Sequence, residues 1–303
     1  MEIKKNLLFY ISVLILLLSF EEFDLEKLTA FNSHGEDTYR VYALKLPASL
    51  EFSGEAVPLD KPDIRERLDK ELLVNTYWQS NMMLLLKRAN KYFPLIEEIL
   101  KEEGVPEDFK YLAVIESALE NVRSPRGAKG FWQIMPSTAK EYGLEVNSNV
   151  DERYHIKKST RVACKYLKKA KKRFGTWTLA AASYNRGMLG IDRLLKKQIT
   201  DNYYDMLLNR ETSRYVFRIL AVKEIMSNPQ RYGFIYEPQD LYKPIPVRKI
   251  GLDTAINNIA RFAKEQSINY KIIKIHNPWL IQNHLNNKSR KYYEIEIPEN
   301  GNY

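Results

Sequence analysis

Sulfur chemistry has almost no place in this chain of 303 residues, whose single cysteine is Cys164. No intramolecular disulfide can form, and a cysteine-rich zinc site is excluded. Cys164 lies in the helical stretch RVACKYLKKA, where it reads as a small apolar core residue. Histidine is scarce too: His34, His155, His276 and His284 are scattered, and no HExxH or similar ligand pair occurs. No metal or other cofactor is therefore expected. Low-complexity tracts and internal repeats are absent. The one long apolar run, Leu7–Leu18, is shorter than the ~20 residues a spanning helix needs. Lys4 and Lys5 precede it, which makes residues 1–20 a secretory signal peptide or, since no small-residue cleavage site follows near Phe20, an uncleaved anchor. Export to the periplasm or cell envelope is the expectation, with membrane association left open.

What is present is an ordinary globular composition, 45% hydrophobic and 28% charged, with a net charge of +9. That balance implies an anionic partner. Many of the basic residues fall on one helical stretch, residues 157–173 (KKSTRVACKYLKKAKKR), which is either a solvated face or a surface drawn to an anionic wall or membrane. Nucleic acid is disfavoured, because the chain carries an export signal and no recognition motif.

The pattern divides the chain into residues 1–20, an irregular extension at 21–60 with a strand at Tyr39–Leu46, a helical domain at 61–240, and a small α+β unit at 245–303. Apolar residues recur at three- and four-residue spacings from Pro62 to Phe93. Further helices are expected at Pro94–Glu103, from Pro106 through Glu116, at Ser159–Phe174, Thr176–Tyr184 and Arg210–Ser227. Beyond the proline-rich YKPIPV the order is strand (Val247–Ile250), helix (Asp253–Glu265), helix (Asn269–His276), strand (Tyr292–Ile297).

Glu116 follows the apolar run Leu112–Ile115 near the end of its helix. Partial burial there would raise its pKa and keep a proton available for general acid work. Position alone, however, favours an exposed helix-end glutamate. The neighbouring segments reverse that preference. Glu116-Ser117, SPRGAKGFWQIMPSTA (Ser124–Ala139), Asp151-Glu152-Arg153, SYNRG (Ser183–Gly187) and ETSRYV (Glu211–Val216) occur in this order over roughly residues 60–235. Together they resemble the catalytic domain of the soluble-type lytic transglycosylases, which share a lysozyme-like fold.

The resemblance implies a mainly α protein, with a lysozyme-like helical domain followed by the small α+β unit, acting as a monomer on the glycan strands of peptidoglycan. It implies that Glu116 is the sole general acid and base. The bond between N-acetylmuramic acid and N-acetylglucosamine would be cut without water, leaving 1,6-anhydro ends. It assigns Ser124 to the substrate N-acetyl group, Gln133, Met135 and Asn185 to the glycan groove, and Tyr184 to a hydrogen bond on the catalytic carboxylate; Ser117 joins the substrate-binding set. Phe131-Trp132 and Ser183 depart from the usual family residues, which touches subsite shape. No second carboxylate is found within these motifs where a nucleophile or base would stand, and Asp151 and Glu152 read as a surface charge pair. The alternatives are a hydrolytic muramidase and a non-catalytic peptidoglycan-binding protein. The C-terminal unit, with Asn277-Pro278 and the closing Ile297-Pro298, resembles a degenerate LysM wall-binding module.

Overall fold

Pro62 presets φ for a first helical turn and lacks the amide hydrogen that would go unpaired there. In the computed structural model, which describes residues 41–299, helix α1 starts on it and runs Pro62–Tyr77. Helix α2 follows at Gln79–Glu102. The sequence places the break before Pro94. It falls instead at Trp78 (φ −87°, ψ 60°), and Pro94 sits inside α2 on an exposed turn, where the carbonyl it leaves unpaired can be solvated.

A 3₁₀ turn at Glu107–Phe109 leads into α3 (Lys110–Ser117). Then come α4 (Pro136–Glu141), a 3₁₀ turn at Glu152–Tyr154, α5 (Ile156–Phe174), α6 (Trp177–Arg186), α7 (Met188–Gln198) and α8 (Arg210–Ser227). Helix α7 has no counterpart in the sequence reading, because Ile191 is its only fully buried residue and its apolar stripe is thin.

Helix α8 is the axis of the helical part. Asn209 caps it by accepting from the Thr212 amide at 2.9 Å. Its apolar residues, among them Val216, Phe217, Ile219, Leu220 and Ile225, are buried nearly all round, the signature of an interior helix. It packs against α1, α3 and α6.

Residues 44–60 belong to this core. Strands β1 (Glu51–Phe52) and β2 (Glu55–Ala56) form a hairpin whose Phe52 meets Phe109 edge-on at 5.2 Å. The Glu55 carboxylate accepts from the Trp177 and Thr178 amides at the start of α6, at 2.5 and 2.9 Å. The irregular extension therefore ends before Leu44, and no strand forms in Val41–Leu46, the described part of the strand expected there.

The C-terminal unit has the expected order. β3 (Val247–Leu252) and β4 (Tyr293–Pro298) pair antiparallel, from Val247 opposite Pro298 to Leu252 opposite Tyr293. Between them lie α9 (Ile259–Glu265), shorter than the sequence suggests, and α10 (Tyr270–His276), capped by Asn258 and Asn269. Ile259, Ile273, Leu280, Ile295 and Ile297 fill a second core that also takes in Val150 from the helical part. So small a unit buries little surface alone, and it is docked. The Asp151 amide donates to Trp279 O (2.9 Å), and the Asn149 side chain bonds His284 O and the Asn286 amide.

The protein is thus mainly α with a small α+β unit at its C-terminal end. No helix among the described residues is long and apolar enough to cross a membrane. The signal or anchor expected at 1–20 lies outside them. The basic helix α5 is largely neutralised, with Lys158, Arg161, Lys168, Lys169, Lys171 and Arg173 each paired to a carboxylate. This favours the solvated-face reading over attraction to an anionic surface.

Candidate active site

Helix α3 ends one residue after Glu116, and it ends abruptly. Ala118 and Leu119 both adopt left-handed φ values, 54° and 57°. Each costs on the order of 1–2 kcal/mol for a residue with a Cβ, so their surroundings must hold them. Arg218 donates to Ile115 O (2.8 Å), Arg88 to Ala118 O (3.2 Å), and Ser117 Oγ to Ala113 O and Phe131 O (3.1 and 2.8 Å). Strain kept in place in this way is characteristic of functional sites.

Tyr215 on α8 donates its hydroxyl to Glu116 Oε1 at 2.5 Å. Burial pushes the Glu116 carboxyl above its ordinary pKa. The Tyr215 hydrogen bond and the nearby Arg218 charge oppose that rise, and Glu211 adds to it. The carboxyl opens into a cleft of about 500 Å³. One wall comes from α1, α2 and their junction, with Asn75, Trp78 and Asn81; the other comes from α8, with Glu211, Arg214 and Arg218. Trp78 is 60% exposed there. A two-pronged pair, Arg214 to the buried Glu71 at 2.5 and 3.0 Å, ties the walls together.

The loop after α3 is clamped from behind. Arg153 donates to Asp151 through Nε (2.9 Å) and Nη2 (2.8 Å), and its Nη1 reaches Gly127 O (2.8 Å) and Ile134 O (3.2 Å). Lys129 completes the cluster on Asp151 at 2.9 Å. Burial alone would raise the Asp151 carboxyl, but Arg153 and Lys129 outweigh it and hold it below its usual value. Glu152 is likewise buried and held down by Lys158, the Glu145 amide and Lys291. These two acids are thus interior fasteners and not the surface pair expected from sequence. Arg153 also explains Gly130: at φ +77° a Cβ there would sit 2.1 Å from Arg153 O.

The predicted site residues fall in three places: the cleft, the clamped loop and helix α6. Glu116 and Ser117 line the cleft. Ser124, Gln133 and Met135 lie on the clamped loop. Ser124 Oγ accepts from the Ala128 amide (3.0 Å), the Gln133 side chain donates through Nε2 to Val122 O and Gly130 O (3.1 and 2.8 Å), and Met135 is 40% exposed. Tyr184 does not hold the Glu116 carboxyl as expected; its hydroxyl donates to Trp132 O at 2.7 Å, and Tyr215 takes the expected role. Asn185 bonds Glu211 Oε1 (2.9 Å) and accepts from Thr212 Oγ1 (2.8 Å). Glu211 is a second carboxylate in the cleft that the motif reading did not find. Tyr215 and Glu211 were both visible in ETSRYV, four residues apart and so on one face of α8. Trp78 carried no motif signal.

A family model described as the transglycosylase SLT domain matches residues 93–206, the stretch that holds Glu116, the clamped loop and Tyr184. A second, the soluble lytic transglycosylase C-terminal LysM-like domain, matches residues 248–301. The chain thus holds a stretch similar to the SLT domain followed by one similar to the LysM-like domain. The SLT match stops short of α8, so Tyr215, Arg218 and Glu211 reach the site from outside the matched span. Membrane-bound lytic murein transglycosylase D of Escherichia coli is 31% identical over 191 residues, 60% of this chain and 41% of that protein. The chain thus spans about two fifths of that relative. Among solved structures, the 70 kDa soluble lytic transglycosylase of E. coli is 18% identical, with a TM-score of 0.42 over 66% of this chain and 40% of that one. Lytic transglycosylase Slt of Pseudomonas aeruginosa is 21% identical, with a TM-score of 0.37 over 50% and 26%.

Proposed function

We propose that this chain is an envelope enzyme that cleaves peptidoglycan glycan strands as a lytic transglycosylase, with Glu116 as general acid and then general base. The observation that carries the reading is the state of one carboxyl: buried enough to hold a proton, hydrogen-bonded by Tyr215, and open to a cleft of about 500 Å³. The SLT domain and the relative named as a murein transglycosylase agree with it.

The chemistry needs the same group in two states. Protonated Glu116 gives its proton to the glycosidic oxygen between N-acetylmuramic acid and N-acetylglucosamine as the C1–O bond breaks. The substrate's N-acetyl oxygen stabilises the electron-poor C1. The carboxylate left behind takes the proton from the C6 hydroxyl, O6 closes onto C1, and Glu116 ends protonated with no water consumed. Burial favours the first state; the Tyr215 hydroxyl and Arg218 favour the second. In this reading Ser117, Ser124, Gln133 and Tyr184 shape and fasten the groove, Met135 offers it an exposed apolar contact, and Asn185 orients Glu211.

Glu211 supports a second reading, a muramidase that uses two carboxylates and adds water. Digestion of purified sacculi with mass analysis of the products separates the two. Anhydro ends are expected; reducing ends would overturn the transglycosylase reading, and no cleavage with retained binding would leave a wall-binding protein.

Tyr215→Phe removes a donor that favours the carboxylate, so the Glu116 pKa should climb further. Activity requires the protonated acid, so the alkaline limb of the pH–rate profile is expected to move to higher pH. A limb that stays in place or moves down counts against the assignment. Trp78→Ala should raise KM by about tenfold with kcat little changed, because a flat exposed ring gives a sugar face uniform binding.

A further inference from the structure

A second cavity of about 250 Å³ lies where α2 and the segment around Tyr154 meet the C-terminal unit. None of its lining residues lines the Glu116 cleft. Part of its wall is apolar and fixed. The Trp279 ring is held in a stack, 5.4 Å from Tyr293 on one side and 6.1 Å from His155 on the other. Phe131, Leu95 and Ile275 extend that surface.

Two lysines, Lys91 and Lys157, and two imidazoles, His155 and His276, also line it. One carboxylate, Glu296, lines the cavity, and it sits 3.8 Å from Lys157. Lys91 is half-buried, lies 5.3 Å from the Tyr92 ring, and has no carboxylate within ion-pair distance among the described residues. Most lysines of the neighbouring helix α5 do have such partners. Burial holds Lys91 and His276 below their ordinary pKa values, the Lys91 charge adding to the effect on His276, and burial takes His155 down to about 4. A half-buried cation without a counter-ion is costly, and an anion in the cavity would offset that cost.

We propose that this cavity binds a carboxylate-bearing ligand with an apolar body, the chemistry of a short acidic peptide. Lys91 and His276 face the carboxylate, and Leu95 and the exposed Ile275 take the body. The proposal leans on the peptidoglycan reading only for the natural source of such a peptide, the stem peptides attached to the glycan. Phe131 would couple an occupant to the cleft, since its carbonyl holds Ser117 next to Glu116.

The test is calorimetric titration of the full chain with the tripeptide L-Ala-γ-D-Glu-L-Lys, its fully amidated analogue, and acetate. The acidic tripeptide should bind at one site, more tightly than acetate, and the amidated analogue should not bind. Lys91→Met should weaken the tripeptide by about tenfold or more, and His276→Gln should weaken it to a lesser degree, both with unchanged melting. Glu116→Gln should bind as the wild type does. Equal affinity in wild type and folded Lys91→Met, no binding to the wild type, or a tripeptide no better than acetate each overturns the proposal. A wild type that binds the tripeptide but does not cut sacculi would sink the catalytic reading and leave this one standing.

Discussion

Glu116→Gln is expected to lower glycan cleavage by about a thousandfold or more, while sacculus binding and melting temperature stay close to the wild type. The size follows from the double duty proposed for the residue. Gln keeps the shape and can still accept from Tyr215 across the 2.5 Å contact, but it can neither release a proton to the leaving oxygen nor receive one from the C6 hydroxyl. Residual cleavage within tenfold of wild type would remove Glu116 from the mechanism. Glu211→Gln is the informative companion, because in the single-carboxylate scheme it removes only a neighbouring charge that raises the Glu116 pKa.

Asp151→Ala should unfold the protein more readily by about 3–5 kcal/mol, the usual cost of orphaning a buried ionic partner. At the size of this chain that is a fall in Tm of roughly 5–8 °C. Asp151 is 2% exposed, and its loss strands Arg153, itself 3% exposed, together with Lys129. The carboxyls of Asp151 and Glu152 are both held below their ordinary values. Their contribution is therefore fully present above the unfolded carboxylate pKa and is lost as pH falls through the lower folded values. The variant should accordingly show a flatter acid limb of stability than the wild type. A Tm within a degree or two of wild type, measured by calorimetry at neutral pH, would show that the cluster is dispensable.

The motifs located Glu116, and periodicity found most of the helices, because both depend on residues close in sequence. What stayed hidden depends on distant contacts. Tyr184 and Tyr215 are equivalent as text; only the packing of α8 against α3 decides which hydroxyl reaches the carboxylate. The same is true of Asp151 and Glu152, which read as a surface charge pair until Arg153 is seen to hold Asp151 while reaching the loop carbonyls of Gly127 and Ile134. Trp78 is legible only once the break between α1 and α2 is known to fall on it. Helix α7 escaped for the opposite reason, since so little of it is buried that periodicity had nothing to register.

The three-residue stretch Asp151–Arg153 faces two ways: its side chains grip the loop behind Glu116, and its first amide holds Trp279 of the C-terminal unit. The proline-rich linker before Val247 looks like a place to cut, but the chain is not divisible there. Trimming at the linker would bare Val150 and leave the polar groups of Asn149 without their partners. Grafting a different C-terminal unit onto the helical part would therefore require transplanting the Asn149–Asp151 contact surface along with it.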